Sequence, residues 1–395
     1  MTDGKLPDSL VRRTPWPDSI SRAVVTPLQP SVVYASPDPD TLDGQYENGP
    51  DGYTYSREGH PNAAVLAAKL DALEGATGGL MTASGMAAVT ATMLGLLKAG
   101  DHVIGGDQLY GRCLRMLAQD LPRFGISSSL ADPTDPAAIE AAIRPETRLI
   151  LVEVVSNPTL RVADIPAIAE IAQRHGLILV VDNTFTTPRA FRPFDHGADV
   201  VIHSVTKLLA GHSDAMLGYV AARCSDHQDA IESTLVTLGL TPSPYDCWMA
   251  ERGLMSFHLR YDRAEENAKT LAEHLSGLTG VRSVFYPGRT DHPDHNKAAA
   301  LLGQRSGNMV SFVLEGGRHE ANLLTRAMPN MAFAPTLGDI GTTLSHAASS
   351  SHRGLTEEQR QSLGITQGFF RVSVGVEDID LITSEFCQGI AATVS

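Results

Sequence analysis

Between Asn62 and about Leu240, apolar positions alternate between stretches of helical period and short unbroken runs. NAAVLAAKLDALEG has the helical spacing and ends on Gly75, a good C-terminal stop. SGMAAVTATMLGLLKAG reads as a second helix whose start is rich in small residues. HVIGG, RLILVEVV, GLILVVDNTF and ADVVIHSV are short and β-branched in their cores, which predicts strands covered on both faces. Strands alternating with helices predict right-handed crossovers and a mostly parallel sheet, hence an α/β fold. From Ser243 the texture changes. WMAERGLMSFHLRYDRAEENAKTLAEHLSG predicts one long helix, followed by strand-like NMVSFVLEGG, a further helix and strand-like FFRVSVGVED, which together predict a smaller α+β unit. Residues 1–60 are dense in Pro, Gly, Asp and Ser and read as an arm that packs on another surface. The expected organisation is an arm over 1–60, an α/β domain over 61–242 and an α+β domain over 243–395.

Composition narrows the function by exclusion. The 395 residues are 43% hydrophobic and 19% charged, as in an ordinary globular protein. A formal net charge of -14 argues against a nucleic-acid partner, because phosphate backbones demand clustered Lys and Arg, but leaves small anionic ligands open. Cys113, Cys224, Cys247 and Cys387 show no C-x-x-C spacing, so a zinc ribbon or disulfide framework is not expected. MTDGKLPDSLVRRTPWPDSI lacks an apolar run like that of a signal peptide, and no stretch has the apolar length that spans a bilayer. A cytoplasmic location without a membrane partner is the expectation. The run Asp291-His292-Pro293-Asp294-His295 invites a metal reading, yet metal sites draw ligands from separate elements, so it is read as a loop and no metal is expected.

Three features fall at or near the ends of successive predicted strands, where open α/β sheets place their ligands: Asp182 in VVDNTF, Lys207 in HSVTKLLAGHSD, and Ser84-Gly85-Met86 opening a helix. Each has a bland alternative, a helix cap for the aspartate and a surface residue for the lysine. Together they supply what pyridoxal 5'-phosphate (PLP) chemistry needs: an amine for a Schiff base, an acid beside the pyridine nitrogen and a phosphate cradle. The amides of Gly85 and Met86 at a helix N-terminus suit the phosphate, and the hydroxyls of Ser204 and Thr206 flank the lysine.

The segments TYSREGHPN, MTASGMAAV, DQLYGR, VEVVSNPTL, VVDNTF, HSVTKLLAGHSD and RVSVGVED occur in the order seen in the Cys/Met-metabolism PLP enzymes, and from about Val25 to Ile390 the chain resembles that family. The group includes cystathionine γ-synthase, cystathionine γ- and β-lyase, methionine γ-lyase and the homoserine-ester sulfhydrylases. The resemblance implies PLP as cofactor and a large domain of the type I, aspartate-aminotransferase-like fold. It implies Lys207 as Schiff-base residue and proton shuttle, Asp182 against the pyridinium and Thr184 against the ring. Tyr110 is implied to stack on the cofactor and take part in proton transfer, Asn157 to contact the ring oxygen, and Arg371 to grip the substrate α-carboxylate. Tyr55 and Arg57 match residues that reach the phosphate of a neighbouring subunit's cofactor, which implies active sites shared across a dimer and a homotetramer built from two such dimers.

The chain departs from the family in FAPTLGDIGTTLSHAASSSHRG, where alignment on Leu337-Gly338 puts Gly341 at a position that is glutamate in several cystathionine enzymes, Thr342 at a serine and Ala347 at a proline. A site without that carboxylate holds the distal ammonium of cystathionine less well. Arg112 stands where many relatives carry a small residue and is either a ligand for an anionic or hydrogen-bonding distal group, with Thr342 as a further substrate contact, or a solvated residue at a helix start. The expected activity is γ-elimination or γ-replacement on a homoserine- or homocysteine-derived amino acid. An O-acyl-homoserine sulfhydrylase, a methionine γ-lyase-like enzyme, a cystathionine β-lyase and a γ-lyase for an oxygen-linked substrate are the alternatives. A non-catalytic regulatory protein is disfavoured by the presence of Lys207, Asp182 and Arg371 together, and a general aminotransferase by the lysine motif.

Overall fold

The computed structural model describes residues 19–47 and 52–394. The N-terminal segment without a signal-like run, and with it the first part of the arm, lies outside these residues. The helix Pro61–Glu74 begins as its sequence dictates: His60 Nδ1 accepts the Ala63 N–H at 3.1 Å and proline takes the first turn. It ends at Gly75, whose φ of 70° lets the chain turn away from the helix axis.

The first sheet is built from β1 (Leu80–Thr82), β2 (His102–Gly106), β3 (Ser127–Ala131), β4 (Thr147–Glu153), β5 (Ile178–Asp182), β6 (Val200–His203) and β7 (Gly218–Ala222). Its order is β1-β7-β6-β5-β4-β2-β3, with every neighbouring pair parallel except the two that β7 makes. The four apolar runs are the four adjacent strands β2, β4, β5 and β6, and most of their side chains are buried because helices cover both faces. The mostly parallel α/β sheet is therefore as expected. The strands that the hydrophobic pattern missed are the edge strands and their neighbour: β1 has three residues, β3 is the polar SSSLA, and β7 is the short GYVAA.

The second sheet holds β8 (Val281–Phe285), β9 (Met309–Leu314), β10 (Ala332–Phe333), β11 (Thr343–His346) and β12 (Phe369–Ser373) in the order β10-β11-β12-β9-β8, antiparallel apart from β10 with β11. The single long helix expected before it is two, Pro244–Leu254 and Phe257–Ser276. The break has a packing cause: Gly253 lies so close to the Ala210 carbonyl that a Cβ there would come within 2.0 Å of the oxygen, and the chain turns immediately afterwards.

The arm is not wholly irregular, since Pro39–Glu47 is helical and Val33 bridges Tyr55. It leaves Ile20, Val24, Val32 and Val33 exposed, while the Trp248 indole donates to the Thr26 carbonyl at 2.8 Å. In the Asp291–His295 run, Arg289 engages Asp291 and Arg161 engages Asp294, so both acids serve ion pairs. Among the described residues no group of three or more His, Cys, Asp or Glu is gathered for a metal, and no helix is long and apolar enough to cross a membrane.

Candidate active site

Parallel pairing brings the last residues of β4, β5 and β6 to one edge of the sheet, and the functional side chains collect there. After β6 the chain turns tightly: the Lys207 N–H donates to the Ser204 carbonyl at 3.1 Å and the Gly211 N–H to the Lys207 carbonyl at 2.8 Å. Arg260, buried in the Phe257–Ser276 helix, donates to the carbonyls of Leu208 and Leu209 at 2.8 and 3.0 Å. The turn that carries Lys207 is thus clamped by its own backbone and by a guanidinium beneath it. Lys207 Nζ lies 3.4 Å from the Thr336 hydroxyl. Burial lowers its pKa from the ordinary lysine value, and the Arg371 cation lowers it further.

Asp182 ends β5 and accepts the Thr184 N–H at 3.0 Å. Burial raises its pKa, and the hydrogen bonds from Thr184 oppose that rise. The Thr184 hydroxyl accepts the Ser204 N–H at 2.8 Å, so the ring-side threonine also fixes the start of the lysine turn. Ser84 caps the helix Gly85–Leu96 by accepting the Ala87 N–H at 3.1 Å. A Cβ added at Gly85 would come within 2.7 Å of the Ser204 Cβ, so that helix start and Ser204 face each other with room for backbone alone. The first amides of a helix have no acceptor within it, and here those of Gly85 and Met86 open beside Ser204. The Thr206 hydroxyl donates to the Leu217 carbonyl at 3.1 Å and accepts the Leu217 N–H at 2.8 Å, which staples the turn.

Arg371 on β12 is 5% exposed and has no acid partner among the described residues. It donates to Asn157 Oδ1 at 2.6 Å and to the Thr336 carbonyl at 2.8 Å, and its Nε is without a partner among those residues. Burial pushes its pKa down to about 10, with Tyr110 and Glu153 opposing the shift. Tyr110 precedes the short helix Gly111–Arg115, its ring 38% exposed and its N–H bonded to Glu153 Oε1 at 2.6 Å. Gly111 is pressed against the Ser351 carbonyl, which a Cβ would meet at 2.1 Å. Arg112 is exposed, with no partner among the described residues.

Lys207, Thr184, Ser204, Asn157 and Arg371 are thus linked directly or through Thr336, with Asp182, Gly85 and Tyr110 one contact further out. Thr342 has another occupation: its hydroxyl donates to Glu377 at 2.9 Å and accepts the Gly375 N–H at 2.9 Å, fastening a loop. Gly341 sits between acids, since a Cβ there would lie 3.3 Å from Asp339 Oδ1 and 3.6 Å from Glu377 Oε1. Tyr55 and Arg57 are exposed, the guanidinium 5.0 Å over the tyrosine ring and 3.4 Å from Glu58 Oε1. Sequence reasoning missed Thr336, Arg260 and Glu153. Of these only Glu153 left a signal, an acid closing a buried strand just as Asp182 does.

The residues fit PLP. An acid without a cationic partner suits a pyridinium, a helix start closed by Ser204 suits a phosphate, and a buried guanidinium without an acid suits an amino-acid carboxylate.

Comparison with known proteins agrees with this fit. The family model of the Cys/Met metabolism PLP-dependent enzymes matches residues 9–391. The chain is 37% identical to cystathionine β-lyase MetC of Bacillus subtilis over 86% of each sequence. It is 35% identical to L-methionine γ-lyase of Pseudomonas putida over 95% of each. The crystal structure of cystathionine γ-synthase from Xanthomonas oryzae pv. oryzae in complex with cystathionine superposes with a TM-score of 0.89, 33% identity and 95% of each chain covered.

Gly85→Ala puts a methyl group into the space shared with Ser204. Its PLP affinity, read by absorbance titration of the apoprotein, is expected to fall at least about tenfold, the loss of a single charge-assisted hydrogen bond. Unchanged affinity would remove this helix start from the phosphate site.

Proposed function

The chain belongs to the Cys/Met-metabolism PLP-dependent enzymes, and we propose that within them it catalyses γ-elimination or γ-replacement on a homoserine- or homocysteine-derived amino acid. The observation that carries the amino-acid part of this reading is Arg371: a buried guanidinium without an acid among the described residues, hydrogen-bonded to Asn157 and to the Thr336 whose hydroxyl faces Lys207. That arrangement holds an α-carboxylate and leaves Cα within reach of the lysine amine. PLP, when bound, withdraws electrons from the substrate and makes the bonds at Cα, and beyond it at Cγ, breakable. Lys207 holds the cofactor and then takes the Cα proton, a task that its lowered pKa serves by leaving more of the amine uncharged near neutrality. Tyr110, at the mouth of the site, handles the proton at the leaving group.

A γ-substrate carries a group beyond Cγ that has to be received. Arg112 is assigned to receive an anionic one such as a succinyl ester, a reading supported by its exposure, its lack of a partner among the described residues and its position two residues after Tyr110 in the sequence. The likeness to a cystathionine β-lyase favours β-elimination as a second reading. Tyr55 and Arg57 are assigned to a second subunit's site, in a homotetramer assembled as two dimers. Their exposure, and that of the apolar side chains of the arm, supports this placement.

The products decide the reaction. With O-succinyl-homoserine, cystathionine and methionine offered separately, α-ketobutyrate is the expected keto acid, and pyruvate from cystathionine alone would replace the γ assignment by the β one. Arg112→Ala is expected to raise KM for O-succinyl-homoserine about tenfold and to leave methionine within about twofold, since only the former brings a charge to pair.

The lysine assignment has a pH signature. A depressed amine pKa means that the folded state disfavours the cation, so the uncharged, PLP-reactive form is present at lower pH than in free lysine, and the associated loss of stability grows as pH falls. The rate of PLP capture by the apoprotein should therefore reach its midpoint below the ordinary lysine value, and Arg371→Met should move that midpoint upward. A midpoint at or above the ordinary value would discount Lys207.

Mixing inactive Lys207→Ala subunits with Arg57→Ala subunits, refolded together, should restore activity that neither has alone. No restoration would return Arg57 to its own chain.

A further inference from the structure

Two carboxylates close neighbouring strands at the floor of the site. Glu153 ends β4 and Asp182 ends β5, paired directly across the parallel register. Asp182 has a task in the proposed reaction, whereas Glu153 has none. Glu153 Oε1 accepts the Tyr110 N–H at 2.6 Å, and the Asn157 amide lies near the same carboxyl and favours its anion. One side chain thus anchors the turn that carries Tyr110 beside the turn that places Asn157 against Arg371. Its other oxygen, Oε2, is shut off from solvent and has no partner among the described residues.

The groups that face the pair are Tyr110 and Cys113 from the Gly111–Arg115 helix and its start, Arg371 from β12, and His203 from β6 beside Asp182. None of them forms an ion pair with either acid among the described residues, and His203 is instead paired with Glu74. Two neighbouring, partly buried carboxylates resist ionising together, because each raises the proton affinity of the other and burial raises both. Burial and the neighbouring Asp182 push Glu153 well above the usual carboxylate range. The partition of the single negative charge follows from the donors. Asp182 receives hydrogen bonds from Thr184 and feels His203, and a pyridinium placed on it adds a full positive charge. Glu153 has an enclosed oxygen that no donor reaches. An anionic oxygen there is costly, and a hydroxyl much less so.

We infer that Glu153 carries the proton of this pair and acts as a neutral positioning acid, holding the Tyr110 turn while the negative charge under the cofactor ring stays on Asp182. The inference rests on the PLP assignment and goes beyond it. A neutral Glu153 keeps the charge on the floor equal and opposite to that of one pyridinium, so PLP is held by one matched pair.

Glu153→Gln mimics a protonated acid in shape and hydrogen bonding, whereas Glu153→Ala removes the acceptor for the Tyr110 amide. In the holoenzyme, Glu153→Gln should bind PLP within about threefold of the parent and leave unmoved the pH at which the visible absorbance of the bound cofactor changes. Glu153→Ala should bind at least about tenfold more weakly, the consequence of an orphaned backbone donor. A Gln variant as weak as the Ala variant, or one with a displaced spectral midpoint, would show that Glu153 is ionised and overturn the inference. Three indistinguishable proteins would overturn it as well, since no positioning would then be done. Should the Ala variant fail to fold, infrared spectroscopy of the parent decides. A deuterium-sensitive carbonyl stretch of a protonated carboxyl that Glu153→Gln abolishes supports the inference, and its absence from the parent rejects it. Lys207→Ala is the separate control, because failure of the cofactor assignment appears there whatever Glu153 does.

Discussion

The site depends on a cation held where a cation is expensive. Arg371 is almost wholly enclosed, forms no ion pair with a carboxylate among the described residues, and is stabilised by neutral acceptors on Asn157 and Thr336. Neutral acceptors offset only part of the desolvation of a guanidinium, so the folded protein carries an electrostatic deficit at this point. Under the proposed function a ligand carboxylate would remove this deficit, turning stability forgone in folding into binding energy for an amino acid. The same charge acts on Lys207, whose proton it repels. Under that proposal substrate capture and lysine basicity are coupled through one residue, since a carboxylate that neutralised Arg371 would also relax part of the pressure that keeps the amine uncharged.

Such an arrangement requires rigid support from both sheets, and the structure supplies it through backbone groups. Asn157 comes from the segment after β4 in the first sheet and Arg371 from the middle of the second, while Ser311 on β9 donates to the Pro158 carbonyl at 2.7 Å to close the same junction. On the lysine side, Arg260 fastens the carbonyls of Leu208 and Leu209, and Gly338 lies so near Leu208 that a Cβ would meet its nitrogen at 2.4 Å. Arg371 and Arg260 are thus two buried guanidiniums with opposite uses. Arg260 spends its donors on the protein's own carbonyls, and Arg371 keeps Nε free.

Residues whose meaning lies in local pattern were legible without coordinates. The four central strands declare themselves because both their faces are buried and their side chains are uniformly apolar, and Asp182 and Lys207 are conspicuous as polar residues at or just past the ends of such runs. Ser84 and Gly85 are legible as a cap and a bare helix start. Thr336 and Arg260 were not, because their roles come from contacts 129 and about fifty residues away in sequence, within segments whose composition is ordinary for a loop and a helix. The short strands β1 and β7 escaped for the related reason that a sheet lends its hydrogen bonds to strands too short to show a period. The helix break after Leu254 depends on one close approach of Gly253 to Ala210 that no periodicity records.

The segment that departs from the family turns out to be charged in another way. Gly341 brings no carboxylate of its own, but its Cα lies between Asp339, which accepts the Gly341 N–H at 2.8 Å, and Glu377, which accepts the Thr342 hydroxyl at 2.9 Å. A side chain with an acid at 341 would meet two acids already in place, so a glycine there relieves repulsion. Both neighbours are occupied, Asp339 also by the Ser213 hydroxyl and Glu377 by the Thr342 turn, and this binds the loop that supplies Thr336 to the loop that follows Lys207. The glycine is therefore accounted for by the electrostatics of the loop itself, without reference to the distal group of a substrate.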